Sequence, residues 1–246
     1  MNNDTLIDVY CDALSGIPAH MLDPDDAQHD KNLQGLFVPS LPEGYWHAKN
    51  KVMVVGRETR GWSTHAWGEG FNPLRAYIGR AVDTHRNFLE KQLTQTKASR
   101  GNSFCNFLRD VAARSGADGL IHANLFCFAY SKTMPTKKLA DYQTIAKYSE
   151  VLLKQQIRFF HPDVIVFANG QSSVGVRRSF FPISSEDNVC TQRKNYSKRE
   201  PSIHINQLWE FHLYDSIRCF RIHHPSAQGK PAKEARKFLM SLLPPR

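Results

Sequence analysis

A chain of 246 residues with 41% hydrophobic and 22% charged side chains is long and apolar enough to bury a proper core, which excludes a disordered or fibrous protein. Against 23 Asp and Glu stand 32 Lys and Arg, a formal charge of +9 that suits a polyanionic partner and equally a merely soluble basic enzyme. The five cysteines (Cys11, Cys105, Cys127, Cys190 and Cys219) stand singly. That spacing argues against a disulfide scaffold, a zinc ribbon or a cysteine-held iron–sulfur cluster, and suggests a reducing, cytoplasmic setting.

The polar N-terminus, MNNDTLIDVYCDALSG, reads as no signal peptide, and no apolar run approaches a membrane span. A helix is predicted from about Asp4 to Leu14, ending near Gly16, followed by a connection rich in Asp and Pro to about Tyr45. Lys51 to Gly56, KVMVVG, is a short apolar run closed by glycine, as a buried parallel strand would be. SFCNFLRDVAARSG is predicted as a helix with Ser103 as its N-cap and Gly116 as its stop. Leu120 to Ala129, LIHANLFCFA, is the second strand. Residues 137 to 160 carry Leu139, Tyr142, Ile145, Ala146, Val151, Leu152 and Ile157 at helical spacing, and the helix should end at His161, which Pro162 restricts. VIVFA, Val164 to Ala168, is the third strand and closes on Asn169-Gly170. LWEFHLY and IRCFRI supply two more strands, and a helix from Lys230 ends the chain.

Strands alternating with helices predict an α/β layered fold around a mostly parallel sheet. We expect one domain over residues 1–246, with an N-terminal helix and polar connection (1–45) and an α/β core (46–246). Ligands of such sheets lie beyond the carboxyl ends of the strands. Three stretches fall at or near those ends: GRETRGW after the first strand, HAN within the second, and HHPSA after the last.

Each candidate has an ordinary structural explanation beside its functional one. Glu58, flanked by Arg57 and Arg60, is either an ion-paired carboxylate or one that orients a water and stabilises a developing cation. Trp62 and Trp67 are core or surface aromatics by default, or stack on a base. Asn124, inside an apolar strand, either bonds to backbone or reads a base edge with its paired donor and acceptor. His224 is a loop histidine before Pro225; the other histidines show no metal-ligand spacing, so no metal is expected. From Arg177 to Arg199, six Lys and Arg oppose Glu186 and Asp187, with Phe180, Phe181 and Tyr196 between them. Lys230 to Lys237 forms a second basic cluster. Either is a solvated face or a phosphate-binding one.

Gly56-Arg57-Glu58 after the first strand, Asn124 in IHANLF and the His224-Pro225-Ser226 turn after the last strand, in that order, resemble the motifs of the uracil-DNA glycosylase superfamily. The resemblance spans about Val52 to Leu242. It implies a three-layer sandwich with a mostly parallel central sheet and a monofunctional DNA glycosylase that flips a pyrimidine out of the duplex and leaves an abasic site. Glu58 and His224 would be catalytic. Asn124, Trp62, Phe126, Gly56 and Arg57 would bind the base, while Ser226, Lys230, Arg193, Lys194, Lys198 and Arg199 would hold the DNA backbone. No metal or organic cofactor is implied, and DNA is the expected partner, with no membrane. Thr59 replaces the family's common proline, no screening tyrosine follows it, and Ala227-Gln228-Gly229 replaces the apolar wedge. These departures resemble bacterial anti-phage members that remove hypermodified cytosine, so a bulky 5-modified cytosine is the expected base, with uracil as the alternative. A metal-dependent nuclease or phosphodiesterase, or a non-catalytic DNA-binding module, are the rival readings.

Overall fold

The computed structural model describes the whole chain except Thr64, residues 66–72, Ser99, Lys132 and Ser185. Among the described residues the elements run α1 (Asn3–Ala13), β1 (Val52–Gly56), α2 (Pro73–Leu93), α3 (Ser103–Ser115), β2 (Leu120–Asn124), α4 (Tyr142–Phe160), β3 (Val164–Phe167), α5 (Val174–Phe180), β4 (Cys190–Asn195), β5 (Leu208–Leu213), β6 (Ile217–Ile222) and α6 (Lys230–Leu242). None of these helices is long and apolar enough to cross a membrane. The chain gathers into two compact units, each assembled from three stretches: Met1–Leu41, Arg57–Glu90 and Ala123–His161 in one, Pro42–Gly56, Lys91–His122 and Pro162–Arg246 in the other.

The second unit carries the six-stranded sheet, in the order β2-β1-β3-β6-β5-β4; only the last two residues of β2 belong to the first unit. β1, β3 and β6 are parallel, with Val55, Phe167 and Arg221 in register, whereas β5 runs antiparallel to both β6 and β4. Every residue of β1, β2 and β3 is buried, which is why these strands read as unbroken apolar runs. β4, CTQRKN, buries only Cys190 and was not legible as a strand. It is an edge strand, and outward Lys and Arg protect an edge from pairing with another chain. Because the parallel strands point the same way, Gly56, the Asn169-Gly170 turn and the His223-His224 pair lie at the carboxyl end of these strands.

The first unit holds α1, α4 and most of α2. Asn2 caps α1 by accepting from the Thr5 amide at 3.0 Å. α2 was not foreseen, although Pro73 at its first position and Leu74, Tyr77, Ile78, Ala81 and Val82 at helical spacing are its signature. The second strand stops at Asn124 rather than Ala129, while residues 125–129 stay buried. Their backbone groups find other partners. Phe126 donates to the Arg57 carbonyl at 2.9 Å, Cys127 to Ser149 Oγ at 3.1 Å, and the Cys127 and Ala129 carbonyls accept from Phe37 and Gln34. Burial with satisfied backbone explains why this run looked like strand. Two boundaries also move: α3 is capped by Asn102, with Ser103 already helical, and α4 begins at Tyr142 and closes on His161 in the left-handed region at φ 45°.

Candidate functional site

In the first unit the chain turns immediately after β1, and Glu58 is folded inward with its side chain 2% exposed. Burial at that level demands a counter-charge. Arg57 supplies it with two parallel bonds, Nη2 to Oε1 at 2.8 Å and a shorter one from Nε to Oε2, and Arg60 Nε adds a third contact at 3.3 Å. The hydrogen bond to Glu58 raises the Arg57 pKa, as a bidentate fork should. The Arg57 carbonyl, holding the Phe126 amide, fixes this loop from below.

Asn124 is 6% exposed and faces Thr59, with its amide 2.7 Å from Thr59 Oγ1. The orientation that serves both amide ends points its oxygen at the Thr59 hydroxyl and amide and its nitrogen at the Ala123 carbonyl, 3.1 Å away. Thr59 is therefore the residue that holds Asn124. Phe126 is 1% exposed and Trp62 7%, so both rings expected to stack on a base are packed inside this unit. Trp62 donates its indole N–H to the Leu36 carbonyl at 3.0 Å and meets Phe37 and Phe88 edge-on. Trp67 lies outside the described residues. Gly61 adopts φ 64°, and a Cβ built there would meet none of the described residues within 4 Å.

In the second unit the chain leaves β6 through His223, His224, Pro225 and Ser226. The Ser226 backbone amide donates to His224 Nδ1 at 3.2 Å, and the Ser226 hydroxyl lies 2.7 Å from the same nitrogen. An amide N–H can only donate, so Nδ1 keeps its lone pair and the neutral ring carries its proton on Nε2. Phe104, in the first turn of α3, stacks on the imidazole with ring centres 5.7 Å apart and planes 27° apart. Gly170 approaches from the end of β3: at φ 79°, a Cβ there would sit 3.2 Å from the His224 Cβ. Beside it Asn169 is fully buried, with its Nδ2 donating to Ser173 Oγ at 2.7 Å and its Oδ1 unpartnered. Phe104 was missed by the sequence reading, because a single aromatic in an amphipathic helix is indistinguishable from core. Asn169-Gly170 was read only as a strand end.

A cleft of about 340 Å³ opens beside the turn, lined among others by Ser103, Asn106, Pro225, Gln228 and Arg236. Arg236 bonds the Ala227 carbonyl at 2.9 Å and so ties α6 to the turn. Lys230, at the start of α6, keeps 89% of its side chain exposed. Arg193, Lys194, Lys198 and Arg199 are exposed as well, although Arg199 lies over the Phe238 ring at 3.9 Å and donates to the Pro201 carbonyl. Among the described residues no group of three or more His, Cys, Asp or Glu is placed to hold a metal ion. The structure thus gathers Arg57, Glu58, Thr59, Asn124 and Phe126 in one unit and His224, Ser226, Gly170 and Phe104 in the other. The chain matches no protein-family profile and no curated protein.

Proposed function

We propose that the protein is a DNA glycosylase that hydrolyses the N-glycosidic bond of a flipped pyrimidine nucleotide and leaves an abasic site, as the motif order of the uracil-DNA glycosylase superfamily implies. One observation carries the reading: the Ser226 backbone amide donates to His224 Nδ1 at 3.2 Å, an arrangement that favours the neutral tautomer with its proton on Nε2. A neutral donor is what a departing base needs, because negative charge grows on its carbonyl oxygen as the bond breaks. A preorganised donor of this kind contributes about 2.7–4 kcal/mol to the transition state. Glu58, the anion of a buried ion pair, would stabilise the cationic sugar and position the attacking water. Asn124 would read the base edge by exchanging its bonds to Thr59 and Ala123 for bonds to the base. The amides and lysines that open α6 would hold phosphate next to the turn.

The 5-modified cytosine is the finer part of the proposal. Family members screen out 5-substituents with bulk after the first-motif carboxylate, and here Thr59, Arg60 and Gly61 stand in its place, with no described residue within 4 Å of a Cβ at Gly61 and the Arg60 side chain 59% exposed. Arg60 could donate to a hydroxyl on the adduct. The test is base release, by mass spectrometry, from matched oligonucleotides carrying uracil, cytosine, 5-hydroxymethylcytosine or its glucosylated form, under single-turnover conditions. Release should be fastest from the bulky cytosines and fall by roughly 10²-fold or more in Glu58→Gln and in His224→Ala. Faster release of uracil would defeat the substrate assignment, and metal-dependent strand scission without free base would defeat the activity.

A further inference from the structure

Away from the His224 turn, the second unit buries two arginines that form no ion pair with a described acidic residue. Arg177, in α5, is 1% exposed, yet its Nε and Nη1 have no hydrogen-bond partner. Its guanidinium sits 5.4–5.7 Å from the ring centres of Phe167, Trp209 and Phe211. Arg221, in β6, is 6% exposed; it donates to the Asn206 and Ile205 carbonyls at 2.6 and 2.8 Å, and its Nε is buried without a partner. Both line a cavity of about 490 Å³ with Arg178, Arg193 and Lys194, and no described acidic residue lines it.

Five cations around one cavity repel one another, and guanidiniums left with unused donors are expensive to bury. Aromatic faces offset only part of that cost. The remaining donors and the missing charge are complementary to one kind of ligand, an anion with several oxygens, which planar guanidinium forks bind two oxygens at a time. Burial draws both arginines down to about 10, with neighbouring arginines adding to the effect, and this leaves them charged at neutral pH.

We propose that this cavity binds a phosphomonoester, with Arg177 and Arg221 as its buried contacts and Arg178, Arg193 and Lys194 at its rim. A terminal phosphate presents three oxygens and nearly two charges, and can enter end-on. An internal phosphodiester has one charge and two free oxygens, with a sugar on each side that must be accommodated along the wall. The phosphomonoester has two possible sources, a free mononucleotide or the phosphorylated end of a DNA strand. The site does not depend on the proposed base excision, and its failure is separable from failure of that activity.

Calorimetric titration of the full chain with thymidine 5′-monophosphate and with thymidine tests the site directly. The same single-stranded oligonucleotide with a 5′-phosphate or a 5′-hydroxyl distinguishes the sources. Thymidine monophosphate should bind and thymidine should not; preference for the 5′-phosphorylated strand with no mononucleotide binding identifies the strand end. In Arg221→Gln and in Arg177→Met the phosphate-dependent affinity should fall about tenfold or more, the range for a hydrogen bond to a charged group. Arg177→Met also removes an unbalanced buried charge while keeping a side chain against the rings, so without ligand it should melt no lower than the wild type. Equal affinity for the phosphorylated and unphosphorylated forms of both ligands overturns the proposal. So does wild-type affinity in Arg221→Gln.

Discussion

His224 takes its protonation pattern from a neighbour two residues away, and Glu58 takes its counter-charge from the residue directly before it. Such local dependence explains what could be read in advance. The positions of Gly56, Glu58 and the His-Pro-Ser turn were legible because each follows a run that reads as strand, and ligands of such sheets lie beyond the carboxyl ends of the strands. The packing partners of Asn124 and Trp62 were not legible, because both lie remote in sequence: Thr59 faces the amide, and the Leu36 carbonyl takes the indole N–H. Trp62 shows how the difference can be measured. Its ring is buried against Phe37 and Phe88, so a core role predicts that Trp62→Phe loses a hydrogen bond and leaves the Leu36 carbonyl unpaired. We expect unfolding free energy to drop by roughly 1–3 kcal/mol in urea titration, with base release by the folded fraction unchanged. An unaltered midpoint combined with slow release would instead put the ring on the substrate.

The elements that escaped sequence reading are α2, α5 and β4, and each did so for a physical reason. α2 has the apolar spacing of a helix but is interrupted by Gly79 and crowded with charge; α5 has only seven residues; β4 is polar because it is an edge. What fixes the edge is a side-chain network across three strands. The Tyr196 hydroxyl donates to Glu210 Oε2, and Arg218 Nε donates to Glu210 Oε1 at 2.8 Å, so β5 is bonded to β6 and to the residue that follows β4. Glu210 is 6% exposed. Burial pushes its pKa up, but the hydrogen bonds from Arg218 and Tyr196 outweigh that and leave it below the ordinary 4.5. A depressed carboxylate pKa stabilises the fold above its unfolded value, and the contribution is lost as pH falls through the lower folded value. Glu210→Gln takes the carboxylate away from Arg218, whose side chain is 36% exposed and so partly screened by water, and should cost roughly 1–3 kcal/mol at pH 7. The gap to the wild type should narrow as the pH drops below 4.5, read from urea midpoints at pH 7 and pH 3. A gap that stays constant between those conditions would mean that Glu210 contributes by packing alone.

The excess of basic residues is a property of the entire sequence, yet the structure assigns those residues different jobs. All four residues expected to hold the DNA backbone from the β4 edge are exposed, but Arg199 lies over Phe238 and donates to the Pro201 carbonyl, and Lys194 lies over the Tyr196 ring at 5.3 Å. Exposed cations meeting a polyanion act through counterion release, so their number is written in the salt dependence of binding rather than in affinity at one salt concentration. Each phosphate neutralised contributes about −0.9 to the slope of log affinity against log salt for duplex DNA. If Arg193, Lys194 and Lys198 each contact one phosphate, replacing the three together by Gln should make the slope shallower by about 2.7, measured by fluorescence anisotropy on one duplex across a salt series. Adding Arg199→Gln should change the slope little further while lowering the melting temperature, because that side chain covers Phe238. A slope unmoved by the triple substitution makes this edge a solvated face and shifts the DNA contacts to Lys230 and the start of α6. A fourth step as large as the first three would show that Arg199 leaves Phe238 when DNA arrives.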